Sequence, residues 1–367
     1  MSFISKSPSE IFTVVVDILF AFSIVIFSIP KVVKVAKCKK LYDYIDERKV
    51  HSGNIPPLGG VSLFASFVLS VILFSKESGC LYTSEIIAAS LLLFYIGLKD
   101  DLITIPARKK LIVQVVAAIY LSVGNIQITN LHGLLGIEEL PLWLRMPVTV
   151  FCIIAFINSF NLIDGVDGLA SGIGILSTFF FGGIFYLSGY LELAVISFAL
   201  FGGLTGFFIY NVFGKSNKIF LGDSGAMIVG LIVCILFIEC NNIVDTNSKY
   251  LFLSSPVIPL VVILIPMFDT LRVMVIRICH GKSPFLPDKN HIHHRLLLLV
   301  KNHLYVTIII LFANILLIYL AIMFSYYIKN VTIQLAYILI ICALLFFIPS
   351  FSNHTSKTKI LKKAYLD

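Results

Sequence analysis

Four short polar stretches interrupt a chain that is otherwise apolar. Asp100 and Asp101 stand side by side in GLKDD, residues 97–101. Asn158, Asn161, Asp164 and Asp167 recur at every third position of NSFNLIDGVDG, residues 158–168. Asp223 lies in FLGDSGA (220–226), and His291, His293, His294 and Arg295 fall in DKNHIHHRL (288–296). Adjacent carboxylates repel each other unless a cation sits beside them. Hard carboxylate oxygens with no sulfur nearby suit Mg²⁺, or Mn²⁺. Three histidines between Lys289 and Arg295 form a basic cluster suited to phosphate oxygens. As a zinc site they lack a cysteine or carboxylate at a usual ligand spacing. Taken singly, each of these residues also has a plainer reading, as a helix cap or a solvated loop group.

The spacing of the second stretch carries its own argument. On a straight α-helix a step of three residues turns about 300°, so a row at every third position drifts by about 60° per step. Asn158 and Asp167 would then face opposite ways, and one continuous helix would be a poor platform. Gly165 and Gly168 allow the backbone to leave the helix and gather the polar groups. Non-helical backbone at membrane depth is tolerated only where protein or water covers it, so this stretch is expected to line a polar cavity. Gly222–Gly225 has the form of a turn entering a helix, where backbone N–H groups favour phosphate. Asp223 could itself hold the cation.

Membrane helices must position these groups. Of 367 residues, 58% are hydrophobic and only 13% are charged, whereas soluble domains are about a quarter charged. A helix crosses the hydrocarbon with about 20 apolar residues. Apolar runs lie at 11–29, 59–75, 85–98, 111–123, 142–158, 169–187, 191–210, 224–240, 256–276, 303–327 and 332–349. The expected fold is all-α: a polytopic membrane protein of about 11 transmembrane helices, one domain over 1–367. With the N-terminus outside and the C-terminus inside, 23 of the 28 Lys and Arg residues fall on the inner side, as cytoplasmic loops require. Loops 30–58, 99–110, 158–168, 211–223 and 277–302 then face the cytoplasm. The net charge of +8 belongs to loops beside anionic headgroups, with no nucleic acid implied. The first apolar run is followed by lysines, without a small-residue cleavage site, and is expected to be a retained span. The seven cysteines form no C-x-x-C pair. They read as free buried thiols, with a Cys80–Cys240 disulfide the weaker option.

All four polar stretches now share one face of the membrane. Carboxylates for a hard cation, cations for phosphate oxygens and a cavity open to the bilayer together suit phosphoryl transfer between a soluble nucleotide and a lipid phosphate. A transporter is the rival class. It would carry ionisable groups near the bilayer midplane, where only Asp17 clearly lies. Asp269 falls late in its run beside Arg272, where an inner-edge ion pair is expected.

From about residue 46 to 296 the motifs resemble the polyprenyl-phosphate N-acetylhexosamine-1-phosphate transferases. This family includes the phospho-N-acetylmuramoyl-pentapeptide transferases and the enzymes that start O-antigen and teichoic-acid linkage. KVHSGNIPPLGG, GLKDD, NSFNLIDGVDGLA, FLGDSGA, FDTLRV and SPFLPDKNHIHHRL follow the family's blocks in order. HIHHRL is similar to the N-acetylglucosamine-type branch more than to the muramoyl-pentapeptide branch. The resemblance implies a transfer of N-acetylhexosamine 1-phosphate, first of all N-acetylglucosamine 1-phosphate, from a UDP-sugar to polyprenyl phosphate in a bacterial plasma membrane. It implies Mg²⁺ on Asp223 and lipid-phosphate contact at Asp100 and Asp101. Asn158, Asn161, Asp164 and Asp167 would arrange nucleotide, sugar and metal, and Phe220 would pack on uracil. His291, His293, His294 and Arg295 would contact diphosphate or sugar. Many relatives carry a basic residue where Pro57 stands here, leaving Lys49 and His51 to supply that loop's contacts. A homodimer is left open.

Overall fold

A computed structural model describes residues 8–41, 55–75, 83–124, 126–244, 255–281 and 290–364, the side chains of 348–364 excepted. The described elements are α1 (Pro8–Lys39), α2 (Gly59–Phe74), α3 (Thr83–Leu102), α4 (Ala107–Val123), β1 (Asn130–Leu134), β2 (Ile137–Glu139), α5 (Leu142–Ile163), α6 (Leu169–Ser188), α7 (Leu191–Phe208), which runs into a π-helical turn (Ile209–Phe213), α8 (Gly222–Asn242), α9 (Val257–Val262), α10 (Leu264–Cys279), α11 (Ile292–Val300), α12 (His303–Tyr327) and α13 (Val331–Ala364). Every apolar run read from the sequence lies on helix. Among the described residues, six helices are by themselves long and apolar enough to cross a membrane. The chain is an all-α, polytopic membrane protein.

Three features depart from a simple row of spans. A two-stranded antiparallel hairpin, β1 with β2, fills the connection between α4 and α5. Its turn is closed by the Gly136 N–H on the Gly133 carbonyl at 3.0 Å. The apolar run 256–276 is broken into α9 and α10 around Ile263. Pro266 has no N–H to give to the Val262 carbonyl one turn earlier, and Asn314 of α12 donates its side-chain amide there instead, at 2.7 Å. The third departure is α11, a short helix in the connection after α10.

The core centres on α8, which is apolar on every side and packed among α2, α3, α5 and α6. A helix hydrophobic all round belongs in such a place. Small residues bring its neighbours close. A Cβ on Gly60 would overlap the Gly225 backbone, and one on Gly97 would lie 2.5 Å from Ser224 Cα. Gly97→Leu should therefore push α3 off α8 at a cost of about 1–3 kcal/mol. A melting temperature in detergent equal to wild type would show that the two helices do not meet there.

Asp17, read as mid-span, is buried and accepts the Ser70 hydroxyl at 2.6 Å. Cys38, Cys152, Cys234, Cys240, Cys279 and Cys342 are free thiols, but Cys38 and Cys279, at the ends of α1 and α10, are exposed rather than buried. The proposed partner of Cys240, Cys80, lies outside the described residues.

Candidate active site

The polar end of the bundle forms where α3 and α5 finish and α2, α4 and α8 begin. An α-helix leaves its first N–H groups without partners, and at α8 Asp101 supplies them. Its Oδ1 accepts the Asp223 N–H at 2.7 Å. Its Oδ2 accepts the Ser224 N–H at 3.1 Å and the Ser224 hydroxyl at 2.6 Å. Gly222, just before, has φ +74°, and a Cβ there would collide with the Pro57 carbonyl and the Asp101 carboxylate. The loop that carries Pro57 is fastened to the same turn. Phe220 N–H donates to the Pro56 carbonyl at 3.0 Å, and Gly59 and Gly60 N–H donate to the Phe220 and Leu221 carbonyls at 2.9 Å. In this way Phe220 is held beside the site by its backbone.

Asp100 uses one oxygen to accept the Ile105 N–H at 2.5 Å. Its other oxygen meets Lys110 Nζ at 3.0 Å, and the same ammonium reaches Asp223 Oδ2 at 2.6 Å. Lys110 thus bridges the two carboxylates. Asn161, on the last turns of α5, lies beside Asp223. The helix ends at Ile163, and Asp164 follows it close to Asp223 and the Gly222 turn of α8. Burial, reinforced by the charges of Asp223, Asp101 and Asp167, pushes the Asp164 carboxyl well above the usual carboxylate range. Four acidic groups share the neighbourhood with one bridging ammonium, so an added cation or a proton relieves them.

The donor set fits a hard divalent cation: carboxylate and amide oxygens, with no thiol among them. Among the described residues, no three Asp, Glu, His or Cys side chains converge on one point. Mg²⁺ suits that arrangement, because it commonly takes one or two carboxylates and completes its shell with phosphate oxygens and water.

Other candidates face elsewhere. Asn158 donates to Gln114 Oε1 of α4 at 2.9 Å, one turn deeper than Asn161. Asp167 turns to Lys218, whose Nζ lies 2.6 Å from Oδ2, and to His303 at the start of α12, 3.7 Å away. Gly168, with φ +78°, opens α6 there and gives its N–H to Asn211 at 2.6 Å. The glycine break expected at 165–168 thus occurs, and it splits the row of polar residues between two neighbouring clusters. His291 reaches Asp269 at 2.9 Å. His293 and His294 pack on Gly165: a Cβ there would lie 3.2 Å from His293 Nε2 and 3.6 Å from His294 Cε1. Arg295 lies one turn into α11, partly buried. Lys49 and His51 fall outside the described residues.

His293 is fully buried, and neither ring nitrogen has a hydrogen-bond partner among the described residues. Burial, with the neighbouring His294 and His291, lowers its pKa to about 3. The free imidazole titrates near about 6.5. The unfolded chain therefore binds a proton that the folded one refuses, and the fold loses stability as pH falls from about 6.5 toward about 3. Replacing both unpaired nitrogens with carbon removes that loss. His293→Phe should raise the melting temperature at pH 5.5 more than at pH 8 and lower activity at both. An equal or negative shift at pH 5.5 would contradict this.

Sequence reading missed Lys110, Lys218 and His303. Lys110 stands with Arg108 and Lys109, and nothing in the order of three basic residues tells which one turns inward.

Fold and site together define a helical membrane protein with an acidic, lysine-bridged cluster at one end of its bundle. The family model described as glycosyl transferase family 4 matches residues 84–241. An undecaprenyl-phosphate α-N-acetylglucosaminyl 1-phosphate transferase of Escherichia coli (strain K12) is 32% identical over 270 residues, covering 72% of this chain and 71% of that protein. The protein of the same name from Yersinia pestis is 30% identical over 283 residues, 76% of this chain and 75% of its own. A probable undecaprenyl-phosphate N-acetylglucosaminyl 1-phosphate transferase of Bacillus subtilis (strain 168) is 29% identical over 289 residues, 77% of each chain. The chain belongs to glycosyl transferase family 4, among its polyprenyl-phosphate N-acetylhexosamine-1-phosphate transferases.

Proposed function

We propose that this protein transfers N-acetylglucosamine 1-phosphate from its UDP-sugar to undecaprenyl phosphate, releasing UMP, at the start of a cell-envelope polysaccharide. The observation that carries the reading is the Lys110 bridge between Asp100 and Asp223, with Asp101 on the adjoining α8 turn and Asp164 beside it, carboxylates from three separate helix ends. The relatives' names support undecaprenyl phosphate as the acceptor and N-acetylglucosamine 1-phosphate as the group transferred. In this reading the membrane is the bacterial plasma membrane, about 11 spans cross it, and the pocket opens to the cytoplasm, where the basic residues collect.

A lipid phosphate oxygen attacks the β-phosphorus of the nucleotide sugar. The bond from β-phosphorus to the bridging oxygen breaks, and UMP leaves with that oxygen. One phosphoanhydride replaces another, so the exchange is nearly balanced and later steps draw it forward. Phosphate monoesters lose their second proton near about pH 6, so the attacking group is largely dianionic at neutral pH and needs placing more than deprotonating. Both Asp101 oxygens accept donors at the α8 N-terminus, which favours a positioning role over that of a base. Lys110 offsets charge beside Asp100 and Asp223. Asn161 and Asp164 shape the pocket wall facing the α8 turn. Phe220 would lie against the nucleobase. Asp223, with Asp164 beside it, would hold Mg²⁺, which offsets charge building on the diphosphate oxygens when bound.

The test uses purified protein in nanodiscs, undecaprenyl phosphate and a panel of radiolabelled UDP-sugars. Magnesium-dependent lipid label from UDP-N-acetylglucosamine, with one UMP per label, is the expected result. Label only from UDP-N-acetylmuramoyl-pentapeptide would replace the sugar assignment. Vesicle uptake without a lipid product would point to a transporter instead.

A further inference from the structure

Asp269 is unexpectedly busy for a residue outside the pocket. It lies on α10, fully buried, and every contact the structure gives it is a donor. Arg272 Nη2 donates to Oδ1 at 2.7 Å. The Ile292 N–H, first in α11, reaches Oδ1 at 3.1 Å and Oδ2 at 3.2 Å. His291 Nδ1 lies 2.9 Å from Oδ2. Arg272 is itself held. It donates to the Asn290 carbonyl at 2.7 Å, and its guanidinium stands 5.5 Å from the ring centre of Phe346 on α13.

An ionised carboxylate only accepts hydrogen bonds. The proton in the His291–Asp269 contact therefore sits on Nδ1. Nε2 is left as the ring's open position: it is buried and has no partner among the described residues. The His291 ring stacks nearly parallel to His293, 5.6 Å between centres, and His293 in turn lies against Gly165, next to Asp164. Asp269 thus sets which face of His291 is offered to the histidine cluster, and it caps the helix that carries that cluster.

We infer that Asp269, clamped by Arg272, is a positioning residue that fixes His291 in one tautomer, with Nδ1–H on Asp269 and Nε2 unprotonated, beside the histidine cluster that packs on Gly165. It does not touch the reacting atoms and acts through His291. Its catalytic consequence rests on the transferase reading; the tautomer does not.

Asp269→Asn makes the test sharp. Arg272 can only donate, so the amide oxygen must turn to it, and the amide NH₂ then faces His291 Nδ1. Nδ1 must become the acceptor, and the proton moves to Nε2. A wrong tautomer behind an intact scaffold is a known way to lose rate. The first readout is ¹⁵N solid-state NMR of histidine-labelled full-length protein in nanodiscs at pH 8.5, with His291 assigned by difference from His291→Gln. The expected result is Nδ1–H in wild type and Nε2–H in Asp269→Asn. The second is kinetics: kcat should fall by about 10–100-fold with KM for the nucleotide sugar within about 3-fold, and Asp269→Asn should cost almost nothing further in a His291→Gln background. Nε2–H in the wild type overturns the inference, as do additive losses in the double variant. If Asp269→Asn fails to fold, the wild-type spectrum still decides. A wild-type protein that makes no lipid product would sink the transferase reading and leave the tautomer result standing.

Discussion

Asp223→Asn is expected to lower lipid-product formation by about 10³-fold, while the melting temperature stays within about 3 °C of wild type. The structure separates these two outcomes. The α8 N-terminus is held by the Asp101 side chain on the Asp223 and Ser224 backbone N–H groups, so the Asp223 side chain is not needed for the cap. What asparagine removes is a negative oxygen facing Lys110 at 2.6 Å, beside Asn161 and Asp164. Groups aimed at developing phosphate charge in a water-poor site are worth about 10²–10³ in rate, and a residue proposed to hold the cation would sit at the top of that range. Initial rates at saturating Mg²⁺, with a parallel thermal melt, decide it. Retention of more than a tenth of the wild-type rate would move the cation site elsewhere in the pocket.

Asp101→Ala should fail differently, by loosening the protein. Three donors lose their acceptor at once: the two backbone N–H groups and the Ser224 hydroxyl. Losing a helix cap costs about 1 kcal/mol, and each buried donor left unsatisfied costs about 1–3 kcal/mol. With three such donors at stake, a loss of about 3 kcal/mol or more is expected, with the α8 turn displaced and transfer lost along with it. The distinguishing measurement is activity against pH for Asp101→Asn and Asp100→Asn. A missing general base would be compensated as pH rises past the lipid phosphate's second pKa, near about 6. A missing structural acceptor would not. Recovery of either variant at high pH would restore the base reading for that residue.

The two variants sit one bond network apart and yet differ in kind, which shows where the sequence can be read and where it cannot. The polar stretches were legible because a membrane chain is under strong constraint: carboxylates, amides and histidines are costly there unless used. The break at 165–168 was legible from the drift of residues at every third position and the two glycines that interrupt it. The helices were legible because lipid leaves the backbone no alternative to satisfying itself. The broken ninth apolar run was not. Its consequence depends on Asn314, 52 residues away, reaching the carbonyl that Pro266 leaves free.

Roles within a motif were the least legible. Asp100 and Asp101 are indistinguishable as a pair in the chain. Only the approach of α8 makes one a helix cap and the other a partner of Lys110. Asp164 and Asp167 are likewise one spacing apart in the sequence, but the turn at Gly168 sends the second to Lys218 and His303. Lys110 itself gave no signal among three basic neighbours. By itself, then, the amino-acid order determined the membrane class, the helices and the polar stretches available for chemistry, because hydrophobicity and backbone satisfaction are local properties read along the chain. Tertiary structure alone decided which acid faces which cation, because a carboxylate's role is set by the charges and donors packed against it, and those arrive from helices far apart in sequence.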